Sequence, residues 1–250
     1  MTKARAILIA DDYGLGERHD AAIRSLLARD AIDATSVLVE TCTKASAEAL
    51  LDCIGTKKIG LHFNLTYPAG GITYTQSRNL VLLKGLLGLG ARRAQAALDR
   101  QLELFRSLFG RQPDYIDGHE HCHAYPTVSR IVLVKAAHLG IPVRSIRPIA
   151  RPIGLKERVL ARLGNRSHAL TQELGVETNW RFGGILPLDD PERAIAVLET
   201  QIEAANRAAQ SSAKEVWVMV HPGDEHDPVQ IEGHSAKLRS LETEYLLSRM

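Results

Sequence analysis

The chain has 250 residues, 45% of them hydrophobic, with 31 lysines and arginines against 29 aspartates and glutamates. That length and apolar share suit an α/β domain of barrel size, and a net charge of +2 carries no footprint of a nucleic-acid binder. Cys42, Cys53 and Cys122 are too few and odd in number for a disulfide framework, which points to a reducing cytoplasm, and no apolar run approaches the roughly 18 residues of a membrane span.

In chain order, ILIA (7–10) leads straight into acids and reads as a first strand rather than a secretory leader. SVLV (36–39) and KIGLHFNL (58–65) read as the second and third strands. YPAGGITYTQSRN (67–79) has no period and reads as a long loop, of the kind that covers a site. Over 91–109, Leu98, Leu102, Phe105 and Phe109 mark one buried helix face, and Gly110 follows as a stop. DYIDGH (114–119) and IPVRSI (141–146) read as the fourth and fifth strands. Residues 147–188 hold two short helical patterns and then the glycine-rich WRFGGILP. Asp190 as N-cap and Pro191 at the first helical position open a helix over 190–210. VWVMV (216–220) is a late strand, and 233–249 a final helix. The alternation argues for a parallel sheet, open or closed. With no repeat and no linker, a single domain over 1–250 is expected.

Polar clusters recur directly after these strands: Asp11 and Asp12, then His62, then Asp117 and His119, then His221 before Pro222 and Gly223. The carboxyl ends of parallel strands share one rim, so four separated segments would aim Asp and His at one place. Two histidines and a carboxylate with open positions compose a catalytic divalent-metal site. A second carboxylate can take a proton from water, and a histidine on the opposite side can give one to a leaving group. The pair Asp11-Asp12 offers one ligand and one base, because neighbours in an extended chain point to different sides. IDGHEHCHAYP (116–126) concentrates three more imidazoles. If it stays extended, His119, His121 and His123 share a face at about 3.3 Å per residue, more than one ion spans. One ligand is expected there, and spacing leaves open which. His19, His138, His168, His226 and His234 sit in polar or helical contexts and read as surface or structural.

IADDYGLG, GLHFNLT, LFGRQPDYIDGHEHCHAYP and VMVHPGDE occur in that order across most of the chain. Together they resemble the motifs of the YdjC-like carbohydrate deacetylases, a family that includes bacterial chitooligosaccharide deacetylases. The resemblance implies a distorted, TIM-like (β/α) barrel of mostly parallel strands and one divalent ion, Mg2+ or Zn2+. It also implies hydrolytic removal of an acetyl group from an N-acetylated sugar. Carried over motif by motif, Asp12, His62 and His119 would be the metal ligands, Asp11 the base and His221 the acid. Asp117 would orient a neighbour, while His121 and His123 would line the substrate or pack. The chain departs from the family at Tyr13, where Phe is usual, at GERHD (16–20), and at Glu120, which replaces a histidine. Substrate choice is expected to reside in 67–79. The partner implied is a small carbohydrate, with no nucleic acid; a homodimer stays open. Two rival readings are another metal-dependent barrel hydrolase, such as a phosphoesterase or amidohydrolase, and a non-catalytic carbohydrate-binding relative.

Overall fold

The computed structural model describes residues 5–67, 83–85, 87, 89–150, 154–231 and 235–250. The loop expected at 67–79 therefore lies, beyond Tyr67, outside the described residues, as does His234. Among those described, six strands form one parallel sheet in the order β4-β3-β2-β1-β6-β5. They are β1 (Ile7–Tyr13), β2 (Ala34–Val37), β3 (Lys58–Phe63), β4 (Ile116–Gly118), β5 (Arg181–Gly183) and β6 (Val216–Val220). Helices α1 (Glu17–Ala28), α2 (Lys44–Ile54), α3 (Ala91–Phe109), α4 (Pro126–Leu139), α5 (Leu155–Leu174), α6 (Pro191–Ser212) and α7 (Ala236–Ser248) lie between and after the strands. β6 is buried at every position, as a strand covered on both faces must be. None of these helices is long and apolar enough to cross a membrane.

The strand expected at IPVRSI is reduced to one bridge, Val143 to Ile116, with a second just beyond it, Pro148 to Phe182. Pro142 and Pro148 have no N–H to give a ladder, which limits the pairing. The bridges nonetheless reach both edge strands, β4 and β5, so this segment spans the gap and the sheet curls into a distorted barrel. The two short helical patterns within 147–188 are one 20-residue helix, α5. Gly164 interrupts its pattern, but a Cβ there would lie 2.6 Å from the Ile146 carbonyl oxygen. The glycine lets the helix pass against the closing segment. Asp190 caps α6 through Arg193 N–H (3.1 Å), and Ser235 caps α7 through Leu238 N–H (3.1 Å), close to the expected starts. All three cysteines are free thiols, Cys42 and Cys122 buried.

The turn after β1 is built from buried polar groups. Asp12 has a left-handed backbone (φ 68°), and the β1–β2 register shifts between Ala10 and Tyr13. Gly14 follows at φ 91°, where a Cβ would meet the Leu38 carbonyl oxygen at 2.9 Å. Its N–H donates to Asp20 Oδ1 (2.6 Å), Ser46 Oγ donates to the other Asp20 oxygen, and Tyr13 donates to the Ser46 carbonyl (2.7 Å). Burial pushes the Asp20 carboxyl up to about 6, against the hydrogen bonds from Ser46 and Gly14. A carboxyl held above its unfolded value binds its proton more tightly in the folded chain. Its contribution to stability is therefore full below about pH 4 and is lost as pH rises through 6. Asp20→Asn, which stays neutral and keeps an acceptor for Gly14, removes that loss. Urea melts from pH 4 to 7 should show the variant gaining on the parent by up to about 3 kcal/mol across the window; a constant difference would contradict the assignment.

Gly60 on β3 makes room for a second buried group. A Cβ there would sit 2.2 Å from the Tyr115 ring, whose hydroxyl bonds Ser36 Oγ at 2.9 Å. Gly60→Ala should cost about 1–3 kcal/mol in chemical denaturation, because the ring is fully enclosed and cannot retreat.

Candidate metal and catalytic centre

The rim at the carboxyl ends of β1, β3 and β4 carries a cluster of buried charges. The left-handed Asp12 re-aims its side chain, and a short non-α turn (His119–Ala124) replaces the extended course considered for HEHCH. Glu120 and His121 adopt positive φ (50° and 58°), so His119, His121 and His123 leave the common face that an extended segment would give them.

Asp12 Oδ1 lies 3.0 Å from His119 Nδ1 and 3.3 Å from His62 Nε2. The donor atoms of Asp12, His62 and His119 all fall within 4.8 Å of one another, and all three residues are buried. The other nitrogen of His62, Nδ1, contacts Asp117 Oδ1 at 2.6 Å; the sheet register pairs these two residues directly. Asp117 Oδ2 accepts from Ser36 Oγ (2.5 Å) and meets Arg144 Nη2 (2.5 Å). Arg144 grips Asp11 with two bonds, Nη1 to Oδ2 (2.7 Å) and Nη2 to Oδ1 (2.6 Å). Arg239 Nη2 donates to Asp12 Oδ2 (2.6 Å). The donors of Asp11, His62 and Asp117 also lie within 4.8 Å of one another, but two of those three are already held by the Arg144 guanidinium.

Burial opposes ionisation of Asp12, but His119 and Arg239 outweigh it and hold the carboxyl well below the usual range. Burial likewise opposes Asp117, where Arg144 and His62 prevail and bring it to about 2. Burial pushes the Asp11 carboxyl up, with Arg144 resisting. His62 is lifted to about 10 against its own burial, chiefly by Asp117 and Asp11. His123 goes the other way, pushed down to about 4 by burial.

The remaining residues singled out in the sequence stand apart from this cluster. His123 is buried, with Nε2 3.0 Å from the Arg144 carbonyl oxygen. His121 is half-buried, its ring edge-on to Phe182 at 5.7 Å. His221 follows β6, whose last residue, Val220, pairs with Ala10, the residue before Asp11; it lies outside both donor groups. Its main-chain N–H donates to Glu242 Oε2 at 2.5 Å. Among the other histidines, His19 is fully buried, bonding Val229 and the Asp224 N–H.

Sequence reasoning passed over Arg144 and Arg239. The available signals were a lone charge inside the apolar run IPVRSI, and an arginine and glutamate three apart on the buried face of α7 with Leu238 and Leu246. Asn64 was also missed. It accepts from the N–H groups of Thr66 and Tyr67, which brings the Tyr67 ring 6.0 Å from His119.

The family model for YdjC-like protein matches residues 5–250. A chitooligosaccharide deacetylase of Proteus mirabilis is 30% identical over 237 residues, covering 91% of this chain and 85% of that protein. A carbohydrate deacetylase of mouse is 31% identical over 166 residues, 61% of this chain; the match spans about half (53%) of the mouse protein. Among solved structures, a candidate cellobiose-phosphate cleavage protein of Enterococcus faecalis V583 superposes with a TM-score of 0.70 at 19% identity, covering 98% of this chain and 91% of that one. That likeness concerns the fold. With the family model matched from residue 5 to the last residue, the chain belongs to the YdjC-like protein family.

Proposed function

We propose that the chain is a metal-dependent N-deacetylase that releases acetate from an N-acetylated sugar, with residues 1–250 as one domain and a cytoplasmic address. The observation that carries this reading is the convergence of Asp12, His62 and His119 beside an arginine-held Asp11. Three donors of this chemistry within 4.8 Å of one another, with Asp12 Oδ1 3.0 and 3.3 Å from the two imidazole nitrogens, fit one divalent ion with open positions. A divalent ion bound there supplies Lewis-acid polarisation of the acetamide carbonyl and acidifies water at neutral pH.

The protein's own groups divide the proton traffic. Asp11 takes a proton from the water that attacks the acetamide carbon. Arg144 holds both oxygens of Asp11 and so aims the carboxylate. Asp117 accepts from His62 Nδ1 and so turns Nε2 toward Asp12. His221, after β6, gives a proton to the departing sugar amine as the C–N bond breaks. The products are acetate and a free amine. A small carbohydrate as substrate agrees with the mouse relative's being a carbohydrate deacetylase and the Proteus relative's being a chitooligosaccharide deacetylase. The two-metal phosphoesterase reading has less support, because a second ion would have to share His62 and face the Arg144 guanidinium.

The decisive experiment is acetate release from N-acetylglucosamine oligosaccharides by chelator-treated protein, with and without added zinc or magnesium. Turnover that appears only with metal, at one ion per chain, supports the reading. Two tight ions per chain, or phosphate-ester cleavage in place of acetate release, would favour the rival. Sugar binding with no acetate under any metal would leave a binding relative.

Asp11→Asn should lower kcat by about 10²–10⁴-fold while metal stoichiometry stays at one, since a general base contributes on that scale. Near-parental turnover would remove Asp11 from the mechanism. Asp12→Asn should instead weaken metal binding in calorimetry, and excess metal should recover part of its lost activity.

A further inference from the structure

The two oxygens of Asp12 have different partners. Oδ1 faces the imidazoles of His62 and His119, whereas Oδ2 accepts from Arg239 Nη2 at 2.6 Å. Arg239 stands 227 residues further along the chain, on α7, and its side chain is fully buried. Its other nitrogens, Nε and Nη1, have no hydrogen-bond partner among the described residues. Among the described residues, the guanidinium's hydrogen bond is to Asp12.

The helix that carries it is docked firmly on the segment after β6. His221 N–H donates to Glu242 (2.5 Å), and Gly223 N–H donates to the Arg239 carbonyl (3.1 Å) and to Thr243 Oγ1 (2.9 Å). Thr243 Oγ1 donates back to the Gly223 carbonyl (2.8 Å). The backbone origin of Arg239 is thereby fixed relative to the rim on which His221 begins. A carboxylate free to spin about its last torsion presents either oxygen; one clamped at Oδ2 by a fixed guanidinium presents only Oδ1.

We infer that Arg239 is a positioning residue for the metal site, holding Asp12 so that a single oxygen faces His62 and His119. The inference rests on the reading of Asp12 as a metal ligand. Two effects of the arginine oppose each other and give the test its sign. Its positive charge, a few ångströms from the site, repels a cation; its bond to Oδ2 pre-orients the ligand and attracts one indirectly. If charge alone mattered, a neutral replacement would tighten metal binding. If positioning dominates, the same replacement loosens it.

The experiment is calorimetric titration of chelator-treated protein with zinc and, separately, magnesium. The chains compared are the parent, Arg239→Met and Arg239→Lys, each with circular dichroism as a folding check. The expected result is an affinity at least tenfold weaker for Arg239→Met, with Arg239→Lys between it and the parent. The rise in Tm at saturating metal should shrink in the same order. Affinity in Arg239→Met equal to or tighter than the parent overturns the inference while leaving the metal site in place. Should Arg239→Met not fold, Arg239→Lys decides, because its shorter side chain keeps the charge but not the reach of Nη2 to Oδ2; unchanged affinity there overturns it as well. A parent chain that binds neither ion defeats the metal reading itself, and this inference with it.

Discussion

The centre of this molecule is governed by compensation of buried carboxylate charge. Asp11, Asp12 and Asp117 are all but inaccessible to water, each 1% exposed or less. An ionised carboxylate taken out of water without a partner costs several kcal/mol even after the surroundings relax. Here each is given an arginine: Arg144 serves Asp11 and Asp117, and Arg239 serves Asp12. Those arginines come from the segment that joins the two sheet edges and from the last helix. The charges on the first and fourth strands are therefore neutralised only when distant parts of the chain have docked. The residues that close the sheet also complete the site's charge pairing.

The backbone at the rim carries a matching constraint. Left-handed conformations at Asp12, Glu120 and His121 cost each non-glycine residue on the order of 1 kcal/mol or more. Aspartate tolerates that region better than most residues. The return at Asp12 is a bulge that points two adjacent carboxylates into one connected cluster but toward different guanidinium groups. At the histidine-rich turn, the two left-handed residues fold the chain back after His119. His119 then faces Asp12, while His123 turns toward the Arg144 main chain. Strain at these residues separates imidazoles that a regular strand would have stacked side by side.

What could be read from the sequence follows from where the physics is local. Strand–helix alternation, the cap at Asp190, the final helix and the apolar face of α3 depend on near neighbours, and each is found close to its expected place. The gathering of Asp11, Asp12, His62, Asp117 and His119 at one rim follows from parallel strands ending together, a global rule that needs only strand order. Features that depended on non-local contact were not legible. The two short helical patterns of 147–188 are one helix, α5, whose Gly164 passes against the Ile146 main chain, a contact no local pattern shows. The strand at IPVRSI was read from its apolar content, but it pairs only through a bridge at Val143, next to Pro142, and the charge inside it proves to be the grip on Asp11. Only the fold places Arg239 against Asp12.

Two overlapping donor groups share His62, and the chemistry of imidazole decides between them. A neutral ring has one lone pair, and a hydrogen bond at one nitrogen fixes which nitrogen carries it. Asp117 is ionised, so its 2.6 Å contact with Nδ1 requires the proton there. The lone pair then belongs to Nε2, the nitrogen facing Asp12. With both nitrogens protonated, His62 is a cation stabilised by the surrounding carboxylates. The proton on Nε2 is the one that binding an ion would displace, because the proton on Nδ1 is held by Asp117. The group of Asp11, His62 and Asp117 would need the opposite tautomer, and would place a cation against the guanidinium that already joins its two carboxylates. The same geometry that ties both oxygens of Asp117 to protein donors leaves His62 Nε2 facing Asp12.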